Sequence, residues 1–280
     1  MRFFEFFGTP SLWLGFTSIF TACLLGLAAT RLAPAEPGQP WRSTVLNLRY
    51  MVFHVALRQF GAPITALLMS WMVSLWGANL ITLPDRGWGL LWAIPAYVFA
   101  MDFAEYAFHR AQHRLPMLWA MHSLHHSDQT LNASTTERHC WLDFVLKAAL
   151  VYPPIVLLFR LNPTIIGVYG FLSLWHFFVH ANLRLSLGRF WPCLNMPHYH
   201  RLHHSADPRY FNANYAALFP AFDWLFGTAK PGLADEYPAT GLDTGDTPIT
   251  FRDAVLWPWR KQRDGGNAIA GRQVASQGRS

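Results

Sequence analysis

The sequence predicts an all-α integral membrane protein, in which a bundle of about four to five membrane helices and one interfacial helix carries a cytosolic His-rich helical cap. The composition is 52% hydrophobic and only 14% charged, whereas soluble domains carry about 25% charged residues. The apolar residues are concentrated in stretches of about 20, the length that a helix needs to cross the hydrocarbon core. Most of the thirteen histidines lie in groups near the ends of these stretches.

The first 90 residues (1–90) are predicted to form the N-terminal membrane helices and the interfacial helix. Residues 11–30 are long and apolar enough to span the membrane and lack the strongly basic start of a cleaved signal peptide. Residues 43–60 mix charged and apolar side chains, as in an amphipathic helix at a membrane surface. Gly61 and Pro63 are expected to end or kink that helix, which leaves a second span at 64–83.

Residues 91–230 are predicted to form a second domain, which carries most of the histidines. A third span covers residues 88–108. An apolar hairpin, formed by residues 141–160 and 164–182, is expected to leave and return on one side of the membrane. The segments before and after this hairpin therefore meet at the same membrane face.

Residues 231–280 are predicted to form a polar tail, disordered from about Gly265 because apolar periodicity is absent there. Cys23, Cys140 and Cys193 are odd in number and far apart, which argues against a disulfide framework. Most Arg and Lys residues fall on the His-rich side of the predicted topology, so the positive-inside rule places that side in the cytoplasm. We therefore expect a multi-pass protein of the lipid bilayer, in a bacterial inner membrane. Because no Lys/Arg tract is present, nucleic acid is not an expected partner.

Ten histidines fall in four tight groups, two with the spacing H-x3-H and two with the spacing H-x2-H-H. Residues three and four apart share one face of a helix, so each group presents its imidazoles in one direction. Neutral imidazole is a good ligand for iron, zinc, copper and nickel. Ten nitrogens are too many for one ion and suit two ions with about five each. The predicted ligands are His109, His113, His122, His125, His126, His176, His180, His200, His203 and His204.

Four carboxylates near these histidines have two interpretations. Asp102 and Glu105 share a helical face with His109 and could accept the ring N–H of a ligating histidine. The alternative, given equal weight, is that they solvate the end of the helix. The same ambiguity applies to Glu137 and Asp143.

The three remaining histidines are interpreted separately. His54 lies four residues before Arg58 in the predicted interfacial helix and is expected to lie at the membrane surface. His139 follows Arg138 in a polar stretch and is a candidate neighbour of the metal ligands. His198 precedes the last group and is a weaker candidate for the same role.

Three other functions compete with redox catalysis. A zinc-dependent membrane hydrolase typically needs three protein ligands and an open coordination position, fewer than the histidines present. A membrane metal transporter or storage protein would place its ligands near mid-membrane on broken or repeated helices. A haem protein needs axial ligands on facing helices rather than clusters of this spacing.

The motif strings resemble those of the fatty acid hydroxylase / sterol desaturase superfamily. The resemblance covers about residues 95–230, with residues 247–259 as a candidate extension, and the motif blocks look closest to the sterol desaturase and alkylglycerol monooxygenase branch. Two departures are Ala216, where glycine usually follows Asn-Tyr, and Tyr199, where histidine often precedes His200. The strings are FAEYAFHRAQH, LWAMHSLHHS, FFVHANLRL, MPHYHRLHHS and NYAALFPAFDWLFGT.

The resemblance implies a membrane-bound, O2-dependent oxidoreductase, a non-haem di-iron monooxygenase with two iron ions. Its substrate would be a lipid such as a sterol, an alkyl lipid or a fatty acyl chain, which is hydroxylated or desaturated. Electrons would come from a separate electron-transfer protein of the cytochrome b5 or ferredoxin type. Nine of the ten histidines match the family's ligand positions, and His176 matches less securely.

Overall fold

The computed structural model describes residues 10–76, 80–160 and 162–263 as a mostly helical protein. Its short elements are a parallel pair of two-residue strands and four 3-10 turns (Gly87–Gly89, Ala133–Glu137, Gly188–Phe190 and Pro208–Tyr210). The strands are β1 (Ile81–Thr82) and β2 (Phe159–Arg160). The helices are α1 (Pro10–Ala29), α2 (Trp41–Trp76), α3 (Leu90–Arg114), α4 (Pro116–His126), α5 (Asp143–Leu150), α6 (Tyr152–Leu158), α7 (Pro163–Ser173), α8 (Trp175–Val179), α9 (Pro197–His203), α10 (Ala221–Leu225) and α11 (Phe251–Arg263).

Helix α2 joins what the sequence divided into an interfacial helix and a second span. It runs for 36 residues through Pro63, and membrane helices tolerate proline where neighbouring groups compensate for the lost hydrogen bond. Gly61 lies inside the continuous helix. A Cβ atom there would lie 2.5 Å from the Phe144 ring of α5, so this glycine permits close helix packing. The expected helix end at Gly61 and Pro63 is therefore wrong, and the alternative, a kink, stays a prediction.

Two helical stretches within the described ranges are long and apolar enough to cross a membrane, Trp41–Trp76 and Gly87–Arg114. Two more apolar stretches, Trp13–Ala29 and Pro163–Val179, are shorter. The predicted hairpin is built from the short helices α5 and α6, then α7 and α8, of 8, 7, 11 and 5 residues. Each of the two apolar segments of the predicted hairpin, 141–160 and 164–182, therefore contains two short helices rather than one continuous helix. Prolines at 153 and 154, which cannot donate a backbone hydrogen bond, follow the first break.

The predicted polar tail contains a helix that packs into the core. Ala254 and Trp257 of α11 are buried against Tyr50 of α2 and Leu124 of α4, and the Trp257 indole N–H donates to Ser123 Oγ at 2.9 Å. The apolar residues of α11 recur on one helix face, which allows this packing. Residues 264–280, where disorder was expected, lie outside the described ranges.

A buried ion pair connects the loop after α4 to helix α2 and to the residues before α11. Arg138 and Asp128 are each 1% exposed and lie 3.5 Å apart. Arg138 also donates to Asn47 Oδ1 of α2 at 3.1 Å and to Thr247 Oγ1 near α11 at 2.9 Å. Burial alone would raise the pKa of Asp128, but the Arg138 charge and several hydrogen bonds outweigh it and lower that pKa. This network fixes the end of α4 relative to α2 and α11.

Candidate metal centre

Nine of the ten predicted histidines converge in two adjacent groups. In each group the candidate ligand atoms lie within 4.8 Å of one another. The five-histidine group is His109, His113, His122, His126 and His203, and the four-histidine group is His125, His180, His200 and His204. Two sites rather than one agree with the expectation from the number of nitrogens.

Each H-x2-H-H motif is divided between the two groups. The first and last histidines of the α4 motif, His122 and His126, join the five-histidine group, whereas His125 joins the other. In the α9 motif, His200 and His204 join the four-histidine group and His203 joins the five-histidine group. Positions i and i+4 lie almost above one another on a helix, whereas neighbouring positions point about 100° apart. The prediction that each motif points in one direction is therefore wrong for the i+3 residue.

The distances between ring nitrogens fit ligation of a common ion. In the five-histidine group, the Nε2 atom of His122 lies 3.0 Å from that of His109 and 3.2 Å from that of His126. In the other group, the Nε2 atom of His180 lies 3.0 Å from that of His125 and 2.9 Å from that of His200. Two ligands at about 2.1 Å from a metal and at right angles would be about 3.0 Å apart. The spacing therefore matches neighbouring positions in one coordination sphere.

Three backbone carbonyls set which ring nitrogen is free to ligate. The Nδ1 atoms of His109, His180 and His203 donate to the carbonyl oxygens of Tyr215, His176 and Ala213 at 2.7, 2.6 and 2.7 Å. Because a carbonyl oxygen only accepts, each Nδ1 carries the proton and each Nε2 keeps a lone pair directed into the cluster. Among the described residues, the buried Nε2 atoms of His203 and of His113 have no hydrogen-bond partner. Such orphaned acceptors fit a bound metal ion.

Burial keeps these imidazoles neutral. It lowers the pKa of His180 to about 3, although the hydrogen bond to the His176 carbonyl opposes the shift. It lowers the pKa of His203 to about 4, again against a carbonyl hydrogen bond. The pKa values of the α4 histidines are also lowered, because burial and neighbouring imidazoles both disfavour the charged form. Neutral imidazole is the form that binds metal.

The predicted carboxylates have partners other than the histidine rings. Asp102 accepts the backbone N–H groups of Leu218 and Phe219, both at 2.8 Å, and Glu105 forms an ion pair with Lys147 at 2.9 Å. The hypothesis that they orient ligand histidines is therefore corrected. Both face other segments of the fold, which helical spacing from His109 could not reveal.

Glu137 and Asp143 are also engaged elsewhere. The Glu137 carboxylate accepts hydrogen bonds from His54 Nδ1 at 2.8 Å and from the Arg58 guanidinium at 3.2 Å. His54 is 3% exposed, so its side chain lies in the protein interior, and its expected place at the level of the membrane surface stays a prediction. Burial alone would raise the pKa of Glu137, but Arg58 and the His54 hydrogen bond outweigh it and lower that pKa. Asp143 accepts from Gln112 at 2.8 Å.

Three other predicted histidines lie outside both groups. His176 contributes its backbone carbonyl to His180, and its side chain is in neither group. His139 stacks on His125, with centroids 4.2 Å apart and planes 14° from parallel. His198 points to the Leu233 carbonyl, 2.8 Å away. His139 thus neighbours a ligand candidate, as expected, whereas His198 has another partner.

The carbonyls of Ala213 and Tyr215 were not predicted as parts of the site. Their loop is shaped by Asn212 and Asn214, whose φ angles of 56° and 61° are left-handed, a region that asparagine tolerates. Asp223 then accepts the N–H groups of Tyr215 and Ala216 at 2.8 and 2.9 Å. The sequence signal was present in the asparagines and in Asp223.

The fold and the site together define a class of protein. It is a helical protein that carries two histidine groups beside a candidate membrane helix. Residues 94–228 match the fatty acid hydroxylase family model. The chain is similar to alkylglycerol monooxygenases of Danio rerio and Homo sapiens, with 34% identity over 145 residues (51% of this chain, 32% of the relative) and 32% over 151 residues (54% and 33%). It is also similar to a very-long-chain aldehyde decarbonylase of Arabidopsis thaliana, with 27% identity over 169 residues (56% and 26%).

The matched region spans about a third of the length of the alkylglycerol monooxygenases, 32% or 33% in each case. No solved structure matches the chain.

Proposed function

We propose that the chain is a membrane-bound, O2-dependent lipid monooxygenase that holds two iron ions in its two histidine groups. The observation that carries this proposal is the convergence of nine histidine rings on two sites with ligand-like spacing. The match of residues 94–228 to the fatty acid hydroxylase family model supports lipid oxidation. The names of the alkylglycerol monooxygenase relatives favour an alkyl lipid as substrate and hydroxylation over desaturation.

The five-histidine and four-histidine groups would each hold one iron ion. Bound iron supplies the ability to reduce O2 and to remove hydrogen from an unactivated C–H bond, with electrons from a separate donor of the cytochrome b5 or ferredoxin type. The protein supplies orientation, through the carbonyls that hold protons on the Nδ1 atoms of His109, His180 and His203. It also limits water access, because the Trp119 ring packs 4.9 Å from His113 and 5.4 Å from His126.

The site would lie at a membrane boundary and take its substrate from the bilayer. Helix α3 and its preceding turn are long and apolar enough to span the membrane, and His109 and His113 lie in its last two turns. We place the histidine groups on the cytoplasmic side, because the positive charges favour that orientation. The multi-pass arrangement and the bacterial inner membrane are parts of this proposal.

Lipid analysis by mass spectrometry tests the reaction. Cells that express the wild type with iron and an electron donor should contain a lipid heavier by one oxygen atom, which is absent with His203→Ala. His198→Ala is the matched control, because His198 lies outside both groups. Product formed by His203→Ala would contradict the proposal, whereas a lipid lighter by two hydrogen atoms would identify a desaturase.

Metal analysis of the purified protein separates the alternatives. Two iron ions per chain are expected from the two groups. Zinc without O2 consumption would indicate a hydrolase, and a variable metal load without any product would indicate the alternative, a membrane metal-binding or transport protein without redox catalysis.

A further inference from the structure

The loop that orients the ligands also packs along the membrane-spanning part of α3. Residues 213–228, here called the re-entrant segment, begin at the carbonyl that holds His203 and end beyond α10. Asp102 of α3 accepts two backbone N–H groups of this segment. Phe99 packs against Phe222 with centroids 4.7 Å apart, and Phe103 packs against Phe226 at 5.9 Å.

The contact positions on α3 set the depth of this segment. A helix rises about 1.5 Å per residue, so Phe103 and Phe99 lie about 9 and about 15 Å before His109 along the axis. A hydrocarbon core of about 30 Å takes about 20 residues, which is the distance from Leu90 to His109. If His109 lies near one boundary, Phe99 lies near the middle of the membrane. The re-entrant segment therefore reaches well below the level of the histidine groups.

The outward face of the segment is apolar. Trp224, Leu225 and Phe226 are consecutive and are 68%, 65% and 42% exposed. The α3 residues beside them, Phe99 and Phe103, are 53% and 43% exposed. Together they form one continuous apolar surface, and large exposed apolar patches mark interaction sites.

The polar backbone of the segment is satisfied from within. Asp102 takes the N–H groups of Leu218 and Phe219, and Asp223 takes those of Tyr215 and Ala216. Irregular backbone at membrane depth is tolerated only where the protein satisfies its hydrogen bonds. Two buried carboxylates that each receive two N–H groups meet this requirement, and they also give a reason for an acidic residue within the span.

We infer that the re-entrant segment is inserted in the bilayer, with Trp224, Leu225 and Phe226 in contact with lipid acyl chains. The inference rests on the proposed membrane location of α3 and adds a membrane contact outside the spanning helices. Because the segment also carries the carbonyls that hold His109 and His203, it joins the acyl region directly to the five-histidine group.

Spin labelling of the full chain in phosphatidylcholine vesicles tests this inference. In a Cys193→Ser background, which removes the exposed cysteine, nitroxide labels are placed at Trp224→Cys and, separately, at Leu225→Cys. Trp71→Cys on the exposed face of α2 is the in-membrane reference, and Asp243→Cys is the aqueous reference. Collision rates with O2 and with a water-soluble nickel chelate are compared at each label.

The inference predicts that O2 collisions exceed chelate collisions at Trp224→Cys and Leu225→Cys by the same several-fold ratio as at Trp71→Cys. A ratio equal to that at Asp243→Cys would overturn it. Low collision rates with both probes, with spin–spin coupling between chains, would assign the surface to a second copy and also overturn it. An aqueous ratio at Trp71→Cys would instead refute the membrane location of the proposed function.

Discussion

The rings of His126 and His204 stack with centroids 4.4 Å apart and planes 19° from parallel, although the two residues belong to different histidine groups. This contact follows from the division of each H-x2-H-H motif between the groups. Each motif gives its i and i+4 residues to one group and its i+3 residue to the other. The two proposed metal sites are therefore adjacent, and imidazole rings of one group pack directly against those of the other.

The division predicts that neighbouring histidines affect different metal ions. His203→Ala removes a proposed ligand of the five-histidine group, whereas His204→Ala removes a proposed ligand of the four-histidine group. Each variant should lose about one of two bound ions, because six-coordinate iron prefers several imidazoles and a site with a missing ligand binds less tightly. Metal content by mass spectrometry is the measurement.

The double variant, with both His203→Ala and His204→Ala, is expected to bind neither ion. If both single variants lost the same site, as judged by an iron spectroscopic signal that distinguishes the two ions, the division would be contradicted. His198→Ala should keep the full metal content, since its side chain points to the Leu233 carbonyl.

His176 and His180 should differ in their effect on metal binding. The side chain of His180 belongs to the four-histidine group, whereas His176 acts through its backbone carbonyl. His180→Ala should therefore remove most of the metal from that group, and His176→Ala should leave most of it. Metal titration of the metal-free protein measures the difference, and equal losses would show that the His176 ring also ligates.

Asp223 should support catalysis without touching a ligand. It accepts the N–H groups of Tyr215 and Ala216, and Tyr215 in turn provides the carbonyl for His109. Asp223→Asn replaces one acceptor oxygen by an NH2 group that faces an N–H. Loss of a group that helps to orient a metal ligand typically lowers metal affinity or activity about 10- to 100-fold.

Asp207→Asn is the matched control, because Asp207 pairs with the exposed Arg209 away from the histidines. Turnover and metal affinity should remain near wild type for this control. Unchanged metal affinity in Asp223→Asn would contradict the positioning role.

Local spacing was sufficient to predict nine ligand candidates, since i, i+3 and i+4 relations depend only on helix geometry. It could not predict the division into two groups, because which face of α4 meets which face of α9 is a tertiary property. The same limit explains why a helix end was expected at Gly61 and why the Glu137 partner of His54 was not predicted. Phe144, which packs on Gly61, and Glu137 both come from distant segments. The orienting carbonyls of Ala213 and Tyr215 were missed because their only sequence signals are Asn212, Asn214 and Asp223, and the turn that these side chains shape is a tertiary property.

The buried pair of Glu137 with His54 and Arg58 should matter for stability. Glu137→Ala leaves His54 and the half-exposed Arg58 without their acceptor. Leaving a buried hydrogen-bond donor without its acceptor costs about 1–3 kcal/mol, so a clear fall in Tm is expected. Asp85→Ala, which removes the exposed partner of the exposed Arg86, is the control and should leave Tm almost unchanged. Equal Tm values for both variants would show that the Glu137 pair contributes little.

The metal-free protein should lose stability in mildly acidic solution. The pKa of His203 is lowered from its ordinary value of 6.5 to about 4, and that of His180 from 6.5 to about 3. Between pH 6.5 and about 4 the unfolded chain therefore binds more protons than the folded chain, so the free energy of unfolding falls as pH falls. Tm of chelator-treated protein should decrease across this window.

His203→Asn removes one of the titrating groups and should make the decrease shallower by the equivalent of one proton. A Tm that stays constant from pH 6.5 to 4, or an equal slope in wild type and His203→Asn, would show that these rings are protonated in the folded state. Such rings could not serve as ready metal ligands, because only the neutral imidazole has a lone pair to donate.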